Sequence, residues 1–353
     1  MPSHDHDRNV FTTWFRGQHA PWPISGEGPI PFIDLNYYGR VFERVDQRLP
    51  DAGLHVLATD ALRGPLPVSG PDVVVLCLND EHGFTPTYAY DVGLVVKTMG
   101  AGKRAPYVAW WPLRRWPGAL LVAAQEALVQ KRRLPYLSRA ALGTATHLRR
   151  PPVVDVPLGI RAFYHRDLVP FDERRFDVMF AGSLVNEPGE EKRRFPTQKV
   201  RFRREFLAAL DEAQRVRPAV RFSVRTVPSH WTAMQAVRAY LDELVQSRIV
   251  LCPRGSSLDT HRFFEALRFG CVPVYEVLPR RPYYRGSPAV RCADWTKLPQ
   301  VLDRLLADPA GLRQRHEAAL QWYADHVAPP AVAATVVEAI GRRGLAPTSA
   351  VHQ

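Results

Sequence analysis

The chain has 353 residues, of which 46% are hydrophobic and 23% charged. That excludes a disordered chain and exceeds what one ordinary core organises, so two domains are expected. No apolar run reaches the roughly 18 residues a bilayer span needs, and residues 1–10 lack the basic-then-apolar layout of a secretion signal; a cytoplasmic protein is the expectation. A net charge of +12 calls for an anionic partner, whether a phosphate-bearing ligand, nucleic acid or an anionic surface, and does not choose among them.

In chain order, Asp5-His6-Asp7 carries an acid–any–acid pattern but precedes every predicted strand, so it reads as a tail and no metal is expected. Residues 55–58 and 73–78 read as buried parallel strands and 107–111 as a third, with helices over 88–99 and 118–131. After the second strand comes Asn79-Asp80-Glu81-His82-Gly83. Asp80, Glu81 and His82 are the candidates for a general base there, because ligands of a wound sheet lie beyond the carboxyl ends of its strands. Asp34, before Asn36-Tyr37-Tyr38, is a further candidate. Trp110-Trp111-Pro112-Leu113-Arg114-Arg115-Trp116 interleaves aromatic rings with arginine, a composition that stacks on sugars, bases or headgroups.

Pro151-Pro152 and a charged, Pro-containing stretch to Arg175 mark the boundary, and strand–helix alternation then restarts. Two αβ domains follow, 1–165 and 166–353, with the last helix, 330–340, free to pack on either. The second domain reads as strand 176–181, helix 199–213, strand 220–224, helix 234–247, strand 248–252, helix 259–269 and strand 271–275. Arg193, Arg194, Arg201, Arg203 and Arg204 form a basic stretch that either neutralises phosphates or, more commonly, makes a solvated helix face. Cys77, Cys252, Cys271 and Cys292 sit in or beside apolar runs without a C-x-x-C pair, as buried free thiols do.

The most informative stretch is residues 249–274. A strand ends at Pro253, and Arg254-Gly255-Ser256-Ser257 form a small polar loop. A helix opens near Asp259 and stops at Gly270, and Val272-Pro273-Val274 begins another strand. This layout suits a diphosphate. Loop amides and the first helical turn offer unpaired N–H donors, Gly255 permits close approach, and Arg254 adds a charged fork. Glu265 could accept hydrogen bonds from vicinal ribose hydroxyls, with Arg262 one turn earlier on the same face. The same residues also suit a plain N-cap at Asp259 and a surface ion pair of Glu265 with Arg262 or Arg268.

The order Cys252-Pro253-Arg254-Gly255, Arg262-Phe263-Phe264-Glu265-Ala266-Leu267, Gly270-Cys271-Val272-Pro273-Val274 resembles the signature of the exostosin family, inverting glycosyltransferases of family 47. Residues 240–247 resemble the helix that leads into that strand, and Phe180-Ala181-Gly182-Ser183 resembles the phosphate-side loop of many GT-B enzymes. The resemblance implies a GT-B fold, two Rossmann-like domains facing across a cleft. It implies a nucleotide-sugar donor held by Gly182, Ser183, Arg254, Gly255, Ser256, Ser257, Arg262 and Glu265, with a sugar or glycoconjugate acceptor on the first domain. No cofactor is implied beyond the nucleotide-diphosphate sugar as co-substrate. Retaining GT-B enzymes often carry a Glu eight positions before this one, where this chain has Ser257, which agrees with inversion. Two other readings stay open: transfer to a modified base in nucleic acid, and a non-catalytic nucleotide-sugar or nucleic-acid binding protein.

Overall fold

The computed structural model describes residues 8–24, 35–78, 85–98, 151–160, 166–185, 198–227, 234–255, 258–279 and 281–345. The chain divides into two compact units, Met1–Pro157 with Pro329–Gln353, and Leu158–Ala328. Each is an α/β unit wound around a mostly parallel sheet, the class expected from the alternation of strands and helices.

In the first unit, β1 (Val10–Phe15) pairs antiparallel with β2 (Gln18–Pro21), and all other pairings are parallel. The sheet order is β2-β1-β3-β4-β5-β6, with β3 at His55–Thr59, β4 at Gly70–Cys77, β5 at Val92–Lys97 and β6 at Val153–Asp155. Helix α1 (Leu35–Arg48) buries Leu35, Tyr38, Val41, Phe42 and Val45, the helical spacing of a core-facing stripe. The Tyr38 hydroxyl donates to the Pro157 carbonyl.

Residues 92–97 correct the helix expected over 88–99. Val92, Leu94, Val95 and Val96 are buried on both sides of the sheet as the parallel strand β5. A short, continuous apolar run carries no period of its own, and its β-branched content favours the strand.

The second unit holds a fully parallel sheet of order β11-β10-β9-β7-β8. Its strands are β7 (Phe176–Ser183), β8 (Phe222–Val227), β9 (Ser247–Cys252), β10 (Val272–Tyr275) and β11 (Val290–Arg291). Its helices are α2 (Gln198–Val216), α3 (Met234–Val245), α4 (His261–Arg268), α5 (Leu298–Leu306) and α6 (Pro309–His326). Alternate residues of the strands, Val178 and Phe180, Ile249 and Leu251, Val272 and Val274, join Phe206, Leu210, Leu298 and Leu302 in one core. The final helix, α7 (Pro329–Arg342), belongs to the first unit and packs on α1.

The winding has one consequence for function. The chain runs from β7 outward to β8, then returns to β9 on the other side of β7. That reversal leaves a crevice beyond the carboxyl ends of β7 and β9, the place where open α/β sheets bind ligands. Gly182-Ser183 and Pro253-Arg254-Gly255 stand at those two ends.

Candidate functional site

Arg254 follows β9 and is only 7% exposed. Its guanidinium lies 4.1 Å from the centre of the Phe202 ring on α2, with Nε 3.8 Å from Glu276 Oε1. Glu276 follows β10 directly, and its other oxygen accepts from Trp295 Nε1 at 2.6 Å. Burial pushes the Glu276 carboxyl above the ordinary range, against the pull of Arg254 and the Trp295 hydrogen bond.

Arg262, on the first turn of α4, reaches across to β7. Its Nη2 donates to the Ala181 carbonyl, and the guanidinium sits 5.1 Å from the Phe180 ring centre. Gly182 makes that reach possible, because a Cβ there would lie 2.5 Å from Arg262 Nη2. The Ser183 hydroxyl accepts from Lys199 Nζ at 3.1 Å, and the same ammonium bonds the Val185 carbonyl at 3.0 Å. Thus Gly182, Ser183, Arg254, Gly255 and Arg262 are brought to one edge of the sheet. Ser256 and Ser257 lie outside the described residues.

Glu265 is 4% exposed, which removes the surface ion pair as an account of it. Its Oε2 accepts from the buried Tyr240 hydroxyl on α3 at 2.6 Å. Burial and the neighbouring Glu265 push the Tyr240 phenol well above its usual range, so it stays a donor. Asp259 is not the N-cap of α4: Thr260 occupies that position, and Asp259 Oδ1 accepts from Tyr284 at 2.5 Å. Cys252, at the end of β9, is buried, and burial pushes its thiol up to about 12, so no thiolate nucleophile stands there.

Of the basic stretch, Arg203 departs from the solvated face that is its commoner outcome, whereas Arg204 keeps to it. Lys199 and Arg203, one turn apart, are both 5% exposed, while Arg204 faces out. Lys199 and Glu276 are absent from the sequence-based candidates. Their signals were present: Lys199 and Arg203 share an i,i+4 face with aromatic neighbours, and Glu276 comes directly after a predicted parallel strand. Asp34, Asp80, Glu81, His82, Arg193, Arg194, Asp5-His6-Asp7 and the Trp110–Arg115 loop with Trp116 lie outside the described residues. Among the described residues no group of three or more His, Cys, Asp and Glu side chains could hold a metal, and no helix is long and apolar enough to cross a membrane.

The second unit thus gathers buried charged side chains at the carboxyl edge of a wound parallel sheet. Residues 199–330, which hold Arg203, Arg254, Arg262, Glu265 and Glu276, match the family model described as RXYLT1 C-terminal domain. Human ribitol-5-phosphate xylosyltransferase 1 is 28% identical over 117 residues, 27% of this chain and 26% of the relative. Its Danio rerio counterpart is 33% identical over 100 residues, 24% of this chain and 23% of the relative. The chain therefore aligns with about a quarter of the length of these curated relatives. Among solved structures, the pneumococcal O-GlcNAc transferase GtfA in complex with UDP and GlcNAc is similar at TM-score 0.41 and 10% identity, over 90% of this chain and 60% of that one. AviGT4, a glycosyltransferase of avilamycin A biosynthesis, is similar at TM-score 0.41 and 14% identity, over 96% and 97%.

Proposed function

We propose that this chain is a glycosyltransferase that moves a pentose or hexose from a nucleoside-diphosphate sugar to an acceptor hydroxyl, with the donor on the second unit. One observation carries the reading: Arg254 and Arg262 are directed to the carboxyl edge at the β7–β9 reversal, inside the segment that matches a xylosyltransferase family. A diphosphate there would meet charged donors from two loops and the amides of α4's first turn. The exostosin-like signature of residues 252–274 supports the same reaction class.

In this reading the donor's glycosidic oxygen bond breaks as the acceptor oxygen attacks the anomeric carbon from the opposite side. The electron pair leaves with the nucleoside diphosphate, and the acceptor proton passes to a base. Asp80, Glu81 and His82 remain the proposed base, with Asp34 next. Ser257 in place of a second Glu supports inversion. The buried Glu265, braced by Tyr240, is the proposed partner of the ribose hydroxyls. Four buried free thiols fit a reducing compartment, which supports a cytoplasmic location.

The test is a panel of nucleoside diphosphates and their sugar conjugates, read first by thermal shift and then by release of free diphosphate. One cognate nucleotide should raise the melting temperature at a concentration well above its Kd. Transfer should persist in excess chelator. A panel in which no nucleoside diphosphate binds removes the reading.

A further inference from the structure

Arg203, the sixth residue of α2, is buried to 5% exposure. Its guanidinium sits 5.4 Å from the centre of the Phe180 ring, the ring that Arg262 approaches at 5.1 Å. Arg203 Nε and Nη1 are buried and have no hydrogen-bond partner among the described residues, and Arg262 Nε is in the same condition. Buried guanidinium groups in folded proteins are ordinarily bonded on most of their five N–H donors. Two of them sharing one phenyl ring also repel each other.

The nearby acids do not resolve this. Glu276 gives one oxygen to Trp295 and holds the other toward Arg254. Glu265 accepts from Tyr240. Glu205, more exposed on α2, is offset by Arg201 on the same helix. Arg203 and Arg262 thus place two like charges over one ring at the carboxyl edge, with Glu276 the acid that attracts Arg203. Burial, with the Arg262 charge beside it, draws Arg203 down to about 9, so it is cationic at neutral pH.

We propose that Arg203 and Arg262 jointly grip one polyanion, the diphosphate of the donor, and that Arg203 sets the preference for two linked phosphates over one. The proposal rests on the donor reading above and adds a binding residue from α2, outside the strand–loop–helix motif. Orphaned N–H groups and the mutual repulsion of the two guanidiniums are both answered by a polyanion, and a diphosphate offers the pair more charge and more acceptor oxygens than a single phosphate does.

The test uses the full chain and calorimetry with inorganic pyrophosphate, inorganic phosphate and the nucleoside diphosphate panel. Wild type should bind pyrophosphate at least tenfold more tightly than phosphate. Arg203→Met should weaken pyrophosphate ten- to a hundredfold and abolish that preference, Arg203→Lys should keep part of it, and the exposed neighbour Arg204→Met should change neither. In anion-free buffer Arg203→Met should melt no lower than wild type, since it removes a buried charge whose Nε and Nη1 have no hydrogen-bond partner among the described residues; a structural arginine would melt lower when replaced. Pyrophosphate affinity unchanged in Arg203→Met, or a lower anion-free melting temperature with the preference intact, overturns the proposal. Should pyrophosphate depend on Arg203 while no nucleoside diphosphate binds more tightly than pyrophosphate, the anion grip stands and the sugar-donor reading falls. If a nucleoside diphosphate binds independently of Arg203 yet is lost in Arg262→Met, the donor reading stands and this inference falls.

Discussion

Replacing Gly182 by Ala separates the site from the fold. A methyl group there would lie 2.5 Å from Arg262 Nη2 and 3.4 Å from Arg262 Cζ and Phe180 Cζ. Gly182 is not among the residues at positive φ, so the backbone itself accepts alanine. The overlap falls on the far end of a flexible side chain, and Arg262 must swing away from β7 and give up its bond to the Ala181 carbonyl. That bond contributes about 1 kcal/mol net, and the restricted unfolded chain returns about 0.4–1 kcal/mol, so stability should change little. Donor affinity should not be spared. A misplaced guanidinium loses about 1.5–3 kcal/mol of charged hydrogen bonding, roughly 10- to 150-fold in Kd. Calorimetry with the cognate nucleoside diphosphate gives the affinity, and denaturant unfolding gives the stability. In an Arg262→Met background the Gly182→Ala change should add nothing, because both act through one group. Wild-type affinity in Gly182→Ala, or full additivity with Arg262→Met, would refute the reasoning.

Gly270→Ala should do the opposite. Gly270 has φ +66°, and a Cβ would sit 2.3 Å from His316 Nδ1, which bonds the Gly270 carbonyl at 2.7 Å, so about 2–4 kcal/mol of stability should be lost while the folded protein keeps its affinity. Asp177 accepts from the Arg221 backbone N–H and from the guanidiniums of Arg221 and Arg248. Burial pulls its carboxyl up, but the Arg221 hydrogen bonds and the two guanidinium charges leave it below the ordinary value of 3.8. Its contribution is thus present above pH ~4 and lost as pH falls through the depressed value; Asp177→Asn should cost about 1.5–3 kcal/mol at pH 7 and flatten the acid limb of the stability profile measured by urea unfolding. Among Asp80→Asn, Glu81→Gln and His82→Ala, one should lower turnover about 10²–10⁴-fold with donor Kd unchanged; three variants within a few-fold of wild type would move the base to Asp34.

Much of the second unit was legible because its signals are local. The strand residues 249–252, the loop at Arg254-Gly255, and the helix closed by Gly270 follow from apolar runs, small polar residues and a left-handed C-terminal glycine, all within one span of chain. Where the local signal was weak, the reading failed or drifted. Val92–Lys97 was taken for helix because a buried run has no period, and β8 begins two residues later than expected, at Phe222. Helix α1 and the β1–β2 pair drew no prediction, although α1 carries a clear apolar stripe in Leu35, Tyr38, Val41, Phe42 and Val45.

The sequence by itself determined that two wound αβ halves would form and that residues 249–274 would run strand, polar loop, helix and strand, since both depend on neighbours in the chain. Tertiary structure alone decided which charges come together there. Arg203 and Arg262 are 59 positions apart in numbering and meet over Phe180 only because β7 and β9 lie side by side while α2 packs across them. Whether an arginine is solvated or buried depends on what the packed elements leave around it, and composition and spacing do not contain that information. The basic stretch left both a phosphate role and a solvated face open in one dimension, and packing buries Arg203 while leaving Arg204 exposed.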